Sequence, residues 1–366
     1  MEKLKPYIIN EIKTLKSRAL EKIKQNIDTN LDKPVASWIK KTRLIYSIGY
    51  EFTIILKTCG CKWANSESGG CSMCGYFIDK GPNNISQNAI QNQFKFAINK
   101  HAKDLEELSE KNEKIALKIF TSGSFLDESE ISQNTLINIC EDISNLNYIN
   151  EFVIESRPEF IETEKIRLIK KILKNKILEV GIGLESANNY IREVIINKGF
   201  NLQSIKNSID ILHKENARVK AYLLFKPPFI NERIAIEDLI KSINECIKIN
   251  VDTISINPIV IQRYTIQESL FNRNQFRPPW FYSLFEAFQR SLDKNKISKT
   301  LILCSPMAIG TEKGIHNCLN KDCNNRWINI LEEFINSQNI NLIQNEKLPY
   351  EKCKCWAEYN LMNENI

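Results

Sequence analysis

No apolar run of roughly 18 or more residues occurs in the 366-residue sequence, so no segment is suited to crossing a bilayer as a helix. A secretory signal is missing too. Charges are spread through MEKLKPYIINEIKTLKSRALEKIKQ, where a signal peptide needs an uninterrupted apolar stretch. Both absences predict a cytoplasmic protein without a membrane partner. There is no internal repeat of fixed period and no long low-complexity stretch, and with 43% hydrophobic residues disorder is not the default reading. The length suits one large α/β domain with an appendage, or two ordinary domains. Disulfides do not fit a reducing compartment. Most of the eleven cysteines gather in two tight groups, which favours metal ligation.

The net charge of +6 is modest, but much of it lies before residue 45. There Lys3, Lys5, Lys13, Lys16, Arg18, Lys22, Lys24, Lys33, Lys40, Lys41 and Arg43 outnumber Glu2, Glu11, Glu21, Asp28 and Asp32. Two readings fit this segment. One is a basic arm that meets a polyanion. The other is an amphipathic helix docked through Leu4, Ile8, Ile12, Leu15 and Ala19, which recur at helical spacing.

From about residue 50, short β-branched runs alternate with longer amphipathic stretches, the pattern of βα units around a parallel sheet. The expected strands are 51–57, 115–120, 151–155, 178–182, 219–225 and 253–257. Expected helices between them include 87–100, 130–143, 163–173, 202–214 and 234–249. Six such units predict an α/β fold, a partial (β/α)6 barrel of the TIM type, with chemistry at the carboxyl ends of the strands. After residue 290 the texture changes: a strand-like 300–304, a turn-rich 305–325 with two cysteines, a helix near 326–337 and a tail with two more cysteines. Three regions are therefore expected: a basic helical extension over 1–45, a core over 46–290, and a small module over 291–366.

The segment CGCKWANSESGGCSMCGY follows the first expected strand, so its thiols belong to a loop at that strand's carboxyl end. Cys61, Cys71 and Cys74 form C-x9-C-x2-C. Three thiolates can hold three irons of a [4Fe–4S] cubane and leave the fourth iron open to a small molecule. Cys59 makes a fourth thiol in the same stretch, so a structural zinc site is the alternative. Gly60, Gly69, Gly70 and Gly75 let the backbone wrap closely around a bulky cluster.

The spacing and position of this loop resemble the radical S-adenosylmethionine (SAM) superfamily, with the long first gap of its Elongator catalytic-subunit branch. Three further segments agree in order: Thr121-Ser122-Gly123-Ser124, Glu155-Ser156-Arg157-Pro158-Glu159 and Gly183-Leu184-Glu185-Ser186. The resemblance implies a [4Fe–4S] cluster on Cys61, Cys71 and Cys74. It also implies SAM contacts from Ser122, Gly123, Ser124, Glu155, Arg157 and Glu185. Each of these residues has a structural reading as well. The serines and glycine suit a βα turn and helix cap, Glu155 and Arg157 an ion pair, and Glu185 a helix amino terminus.

The second group, Cys318-x4-Cys323 followed by Cys353-x-Cys355, supplies two thiol pairs about thirty residues apart, the usual assembly of a closed structural zinc site. His316 could replace one thiol, and a second cluster is the alternative. Cys140, Cys246 and Cys304 read as buried apolar residues. Lys226, in KPPF after the fifth strand, offers an ammonium to a phosphate or carboxylate, or is an exposed turn. Arg277 and Trp280, in RPPW, offer a cation and an aromatic face to a base, or belong to the core.

Together, TSGSFLD, ESRPE, LLFKPPF, RPPW and the cysteine-bearing tail resemble a narrower family, the archaeosine-forming radical SAM lyases of archaea. That resemblance implies a lysine-adducted 7-deazaguanine of transfer RNA as substrate, with cleavage of the C–N bond to its lysine side chain. It also implies a partner protein that attaches the lysine, and an electron donor the sequence does not identify. An Elongator subunit is a poor fit, because the residues after 290 are too few for an acetyltransferase and lack its glycine-rich loop. A non-catalytic zinc or iron–sulfur RNA-binding protein is the alternative from another class. A radical SAM enzyme acting on another RNA nucleoside is a third possibility.

Overall fold

A computed structural model describes residues 4–23, 30–346 and 353–364. Glu2, Lys3, Lys24 and Asp28, counted above in the basic segment, lie outside them, as does the side chain of Lys22. Eight strands form one sheet in strict sequence order: β1 (Ala36–Arg43), β2 (Ile48–Ile55), β3 (Ile115–Phe120), β4 (Ile149–Glu155), β5 (Ile177–Glu185), β6 (Arg218–Phe225), β7 (Thr253–Pro258) and β8 (Leu301–Cys304). β1 and β2 are antiparallel, while β2–β3, β3–β4, β4–β5 and β7–β8 are parallel. The first and last strands are not neighbours, so the barrel is partial, as the βα pattern predicts. None of the helices is long and apolar enough to cross a membrane, among the described residues.

The six expected strands correspond to β2–β7, and the helices Gln87–Lys100, Thr163–Leu173 and Leu202–Lys214 stand where expected. The sheet has two more strands, of which 300–304 is read from the sequence as strand-like and β1 is not. β1 falls inside the segment read as a helical extension; it pairs with β2 over eight residues and is an edge strand. β8 falls inside the segment read as an appended module, yet it pairs with β7. Their short or charged sequences carry little alternation, so the hydrogen bonds of a neighbouring strand decide their conformation.

The polypeptide divides into two compact units, Met1–Leu15 with Leu184–Lys198 and Ala221–Ile366, and Lys16–Gly183 with Gly199–Lys220. In the first unit, Ile8, Ile12 and Leu15 of the helix Leu4–Ile23 are buried with Ile195, Ile266 and Leu270. The docked-helix reading holds, although Leu4 itself is exposed. A second core there is aromatic: Tyr282 and Phe285 of the helix Phe281–Ser291 meet the Trp327 ring edge-on, at centroid distances of 5.3 and 4.9 Å. In the second unit, charged residues of neighbouring strands pair within the sheet. Lys220 meets Glu179 at 2.7 Å and Lys118 meets Glu51 at 3.6 Å.

Candidate active site and metal centre

In the second unit, β2 runs into the loop that carries Cys59, Cys61, Cys71 and Cys74. Cys61 caps a single turn, Lys62–Asn65, and the amide of Asn65 donates to its carbonyl at 2.9 Å. The amide of Cys74 donates to the carbonyl of Cys71 at 3.2 Å. None of the four is in a disulfide, and all are partly exposed. Gly70 has φ +99°, a left-handed conformation, and a Cβ there would stand 3.0 Å from Ala64 Cα, so this close turn needs glycine.

The four thiols are not equivalent. Cys59 donates through Sγ to the carbonyl of Ser129 at 3.0 Å. Burial and the nearby Glu130 and Asp127 push its pKa up, so it is held as a neutral thiol. Burial pushes the Cys61 thiol up as well, Cys71 adds to this, and Arg157 acts in the opposite direction. Cys61 therefore lies within electrostatic reach of another thiol, Cys71, and of the Arg157 guanidinium.

The turn after β3 stands directly against this loop. A Cβ on Gly123 would lie 2.5 Å from Cys61 Cα and would also collide with the Glu130 carboxylate. Ser124 accepts a hydrogen bond through Oγ from the backbone N–H of Arg157 at 3.1 Å, joining the turns after β3 and β4. The N–H of Phe125 donates to the Glu155 carbonyl at 2.9 Å. Arg157 is buried; its guanidinium lies 5.2 Å from the Trp63 ring and 5.0 Å from Phe200. It forms an ion pair with Glu159 at 2.5 Å. Glu155 lies close enough to Lys220 to raise that ammonium's pKa.

Two buried hydroxyls of these turns, Ser72 Oγ and Ser122 Oγ, have no hydrogen-bond partner among the described residues. An unpartnered buried hydroxyl costs about 1–3 kcal/mol unless something meets it. Three thiols, two such hydroxyls and a backbone stripped of side chains fit a sulfur-ligated cluster with a polar small molecule beside it.

Three residues here carry no site signal in the sequence. Glu130, read as the start of a helix, is 1% exposed and accepts from Thr58 Oγ1 at 2.5 Å and from the Ser124 N–H at 2.7 Å. Burial lifts its pKa to about 7. Lys16, counted in the basic segment, donates to the carbonyl of Ala64 in the cysteine loop. Trp63 packs against Gly199, leaving no room there for a Cβ. No local pattern marks any of these, because their significance comes from which turns they meet.

In the first unit, Glu185 ends β5 at φ 63° and pairs with Lys198 at 2.8 Å. It does not start a helix, so the dipole reading fails. Lys226 follows β6 at φ 63°, is buried, and pairs with Glu232 at 2.5 Å. The exposed-turn reading of Lys226 is thereby excluded. Trp280 is 2% exposed, with Arg277 over its ring at 3.4 Å. The Arg277 guanidinium donates to the carbonyls of His316 and Asn317 at 2.9 and 2.7 Å. Neither residue offers a free face to a base, and the core reading of Trp280 holds. Two prolines in RPPW suggest an open loop; here the loop is covered by the segment leading into Cys318.

That segment opens the metal centre. The sulfurs of Cys318, Cys323, Cys353 and Cys355 all lie within 4.8 Å of one another. Cys318 and Cys353 are 3.7 Å apart, as are Cys323 and Cys355. Metal–sulfur bonds of about 2.3 Å in a regular tetrahedron put the sulfurs about 3.8 Å apart, so the set is already closed to the size of one ion. His316 is not among the ligands: its Nδ1 meets the carbonyl of Gly314 at 2.8 Å, and burial lowers its pKa to about 4. Tyr282 Oη lies 3.2 Å from Cys355 Sγ, which ties the centre to the aromatic core.

Comparison with known proteins gives the following. An uncharacterized protein of Methanocaldococcus jannaschii is 39% identical over 97% of this chain and 94% of its own. A protein of Methanosarcina acetivorans named archaeosine synthase subunit beta is 34% identical over 88% of this chain and 90% of its own. Among solved structures, an amino-terminally truncated Elp3 of Methanocaldococcus infernus is similar at 17% identity and a TM-score of 0.46, over 63% of this chain and 57% of its own. No protein-family model matches.

Proposed function

The chain belongs to the family of archaeosine synthase subunit beta, and from that premise we propose that it is a radical SAM enzyme of transfer RNA modification. Its substrate is a lysine-adducted 7-deazaguanine, and its reaction breaks the C–N bond to the lysine side chain, leaving archaeosine. The observation that carries the reading is the loop of Cys61, Cys71 and Cys74 beside the unpartnered hydroxyls of Ser72 and Ser122. Cys59, bonded to the carbonyl of Ser129, is not needed as a ligand.

Cys61, Cys71 and Cys74 would hold three irons of a [4Fe–4S] cluster. When bound, such a cluster supplies the electron that cleaves the sulfonium of SAM and yields a 5′-deoxyadenosyl radical. Ser122 and the turn around Gly123 and Ser124 bind the amino-acid end of SAM. Trp63 and Phe200 hold Arg157 as a fixed cation near Cys61. Glu155 and Glu185 are further contacts for SAM. Lys226, neutralised by Glu232, contributes to the substrate side. Cys318, Cys323, Cys353 and Cys355 bind a structural zinc, which their separation suits and which needs no open position.

The partners are transfer RNA, the lysine-attaching archaeosine synthase protein and an electron donor. Anaerobic reconstitution tests the reading. About four irons per chain, 5′-deoxyadenosine formed under reduction, and archaeosine released from lysine-adducted transfer RNA are expected. Zinc in both cysteine groups with no SAM cleavage would instead favour a non-catalytic RNA-binding protein.

A further inference from the structure

We propose that Glu130 is a positioning residue that fixes the SAM-binding turn against the cluster loop, an inference that rests on the radical SAM reading. Its carboxylate touches both loops. Oε2 accepts from Thr58 Oγ1 at 2.5 Å, and Thr58 stands one residue before the first cysteine of the loop. Oε1 accepts from the backbone N–H of Ser124 at 2.7 Å, in the turn after β3. The same carboxylate and the backbone of Cys61 both crowd the position that a Cβ on Gly123 would take. One side chain therefore sets the spacing between two loops that arise from different strands.

Its own position is fixed from behind. The N–H of Glu130 donates to the carbonyl of Asp127 at 2.9 Å, and its carbonyl accepts from Gln87 Nε2 at 3.2 Å. With both oxygens used and 1% exposure, Glu130 has nothing left to offer a ligand directly. What faces the ligand is the neighbouring Ser122 Oγ, buried and unpartnered. A carboxyl group that bridges a hydroxyl of one loop and an amide of the other ties the two together at a fixed spacing. The ligand chemistry this arrangement serves is the ammonium and carboxylate of an aminoacyl group.

The test uses the full-length protein, reconstituted with iron and sulfide and kept unreduced so that SAM binds without being cleaved. Calorimetric titration with SAM is compared with iron content for each variant. Glu130→Ala should weaken SAM binding about tenfold, since its hydrogen bonds to both loops are lost, while iron per chain stays at the wild-type level. Glu130→Gln should recover most of that affinity. Its amide oxygen can accept from the Ser124 N–H, and its NH2 can donate to Thr58 Oγ1 once that hydroxyl turns. Should Glu130→Ala fail to fold, Thr58→Val removes one of the two anchors and should weaken SAM binding about threefold with iron retained.

Unchanged SAM affinity in both Glu130→Ala and Thr58→Val overturns the inference alone. So does loss of iron in step with affinity that Glu130→Gln does not rescue, which would make Glu130 a part of the cluster loop's own fold. If the wild-type protein itself binds no SAM, the radical SAM reading fails, and that outcome is distinct because it precedes any variant.

Discussion

The two cysteine groups differ in what their surroundings leave unsatisfied. In the tail, four sulfurs lie within one ion's reach of each other, and Tyr282 backs one of them. In the loop after β2, the fourth thiol is turned to a backbone carbonyl, and two buried hydroxyls of this loop and the turn beside it have no partner among the described residues. A closed set leaves no position for another ligand, whereas an incomplete set leaves one open. Counting cysteines does not distinguish them, since each group has four.

The sharpest way to break this comparison is to remove single thiols. Cys61→Ala, Cys71→Ala or Cys74→Ala should each abolish 5′-deoxyadenosine formation and lose most of the iron. Cys59→Ala should keep both, and equal iron loss in all four variants would make the loop a four-ligand site. Next in size is Gly123→Val, which forces a side chain between the Glu130 carboxylate and the backbone of Cys61. Overpacking of this kind costs about 1–3 kcal/mol, visible in the denaturation midpoint, and here iron uptake should fall with it.

Removing a tail thiol should act differently. Cys318→Ser or Cys355→Ser should release one zinc per chain and lower the melting temperature, because a closed site contributes folding energy. Soluble protein should still form 5′-deoxyadenosine. Zinc content unchanged, or iron found in a variant lacking Cys61, Cys71 and Cys74, would remove the contrast between the centres. The smallest effect belongs to the surface. Charge reversal at Lys40 and Lys41, both exposed on β1, should weaken transfer RNA binding and flatten its salt dependence, by about one unit of log–log slope for each phosphate no longer neutralised. The cluster's absorption spectrum should not change.

Much of the frame was legible because parallel strands buried on both faces read as apolar runs. The sequences IALKIF, ILEVGIGLE and RVKAYLLF mark β3, β5 and β6 without help. The strand ASWIKKTR does not, since an edge strand with one solvated side carries lysines where a central strand would carry valines. The cysteine ligands were legible by spacing. Glu130 and Lys16 were not, since their roles come from meeting residues far away along the sequence. For Trp280 the sequence left two readings open, since proline signals a turn but says nothing of what covers it.

The open edge β1 has a consequence for how copies of this protein behave in solution. Its outer backbone groups have no strand partner among the described residues, and Trp38 beside them is 39% exposed. Such an edge can recruit another edge and seed aggregation, and paired lysines are an effective deterrent. Lys40 and Lys41, exposed on β1, are charges of that kind. A bound polyanion would neutralise them and cover the edge in the same act. Neutralising the two lysines without covering the strand, as Lys40→Ile with Lys41→Val would do, removes the deterrent and leaves the exposed edge to self-associate.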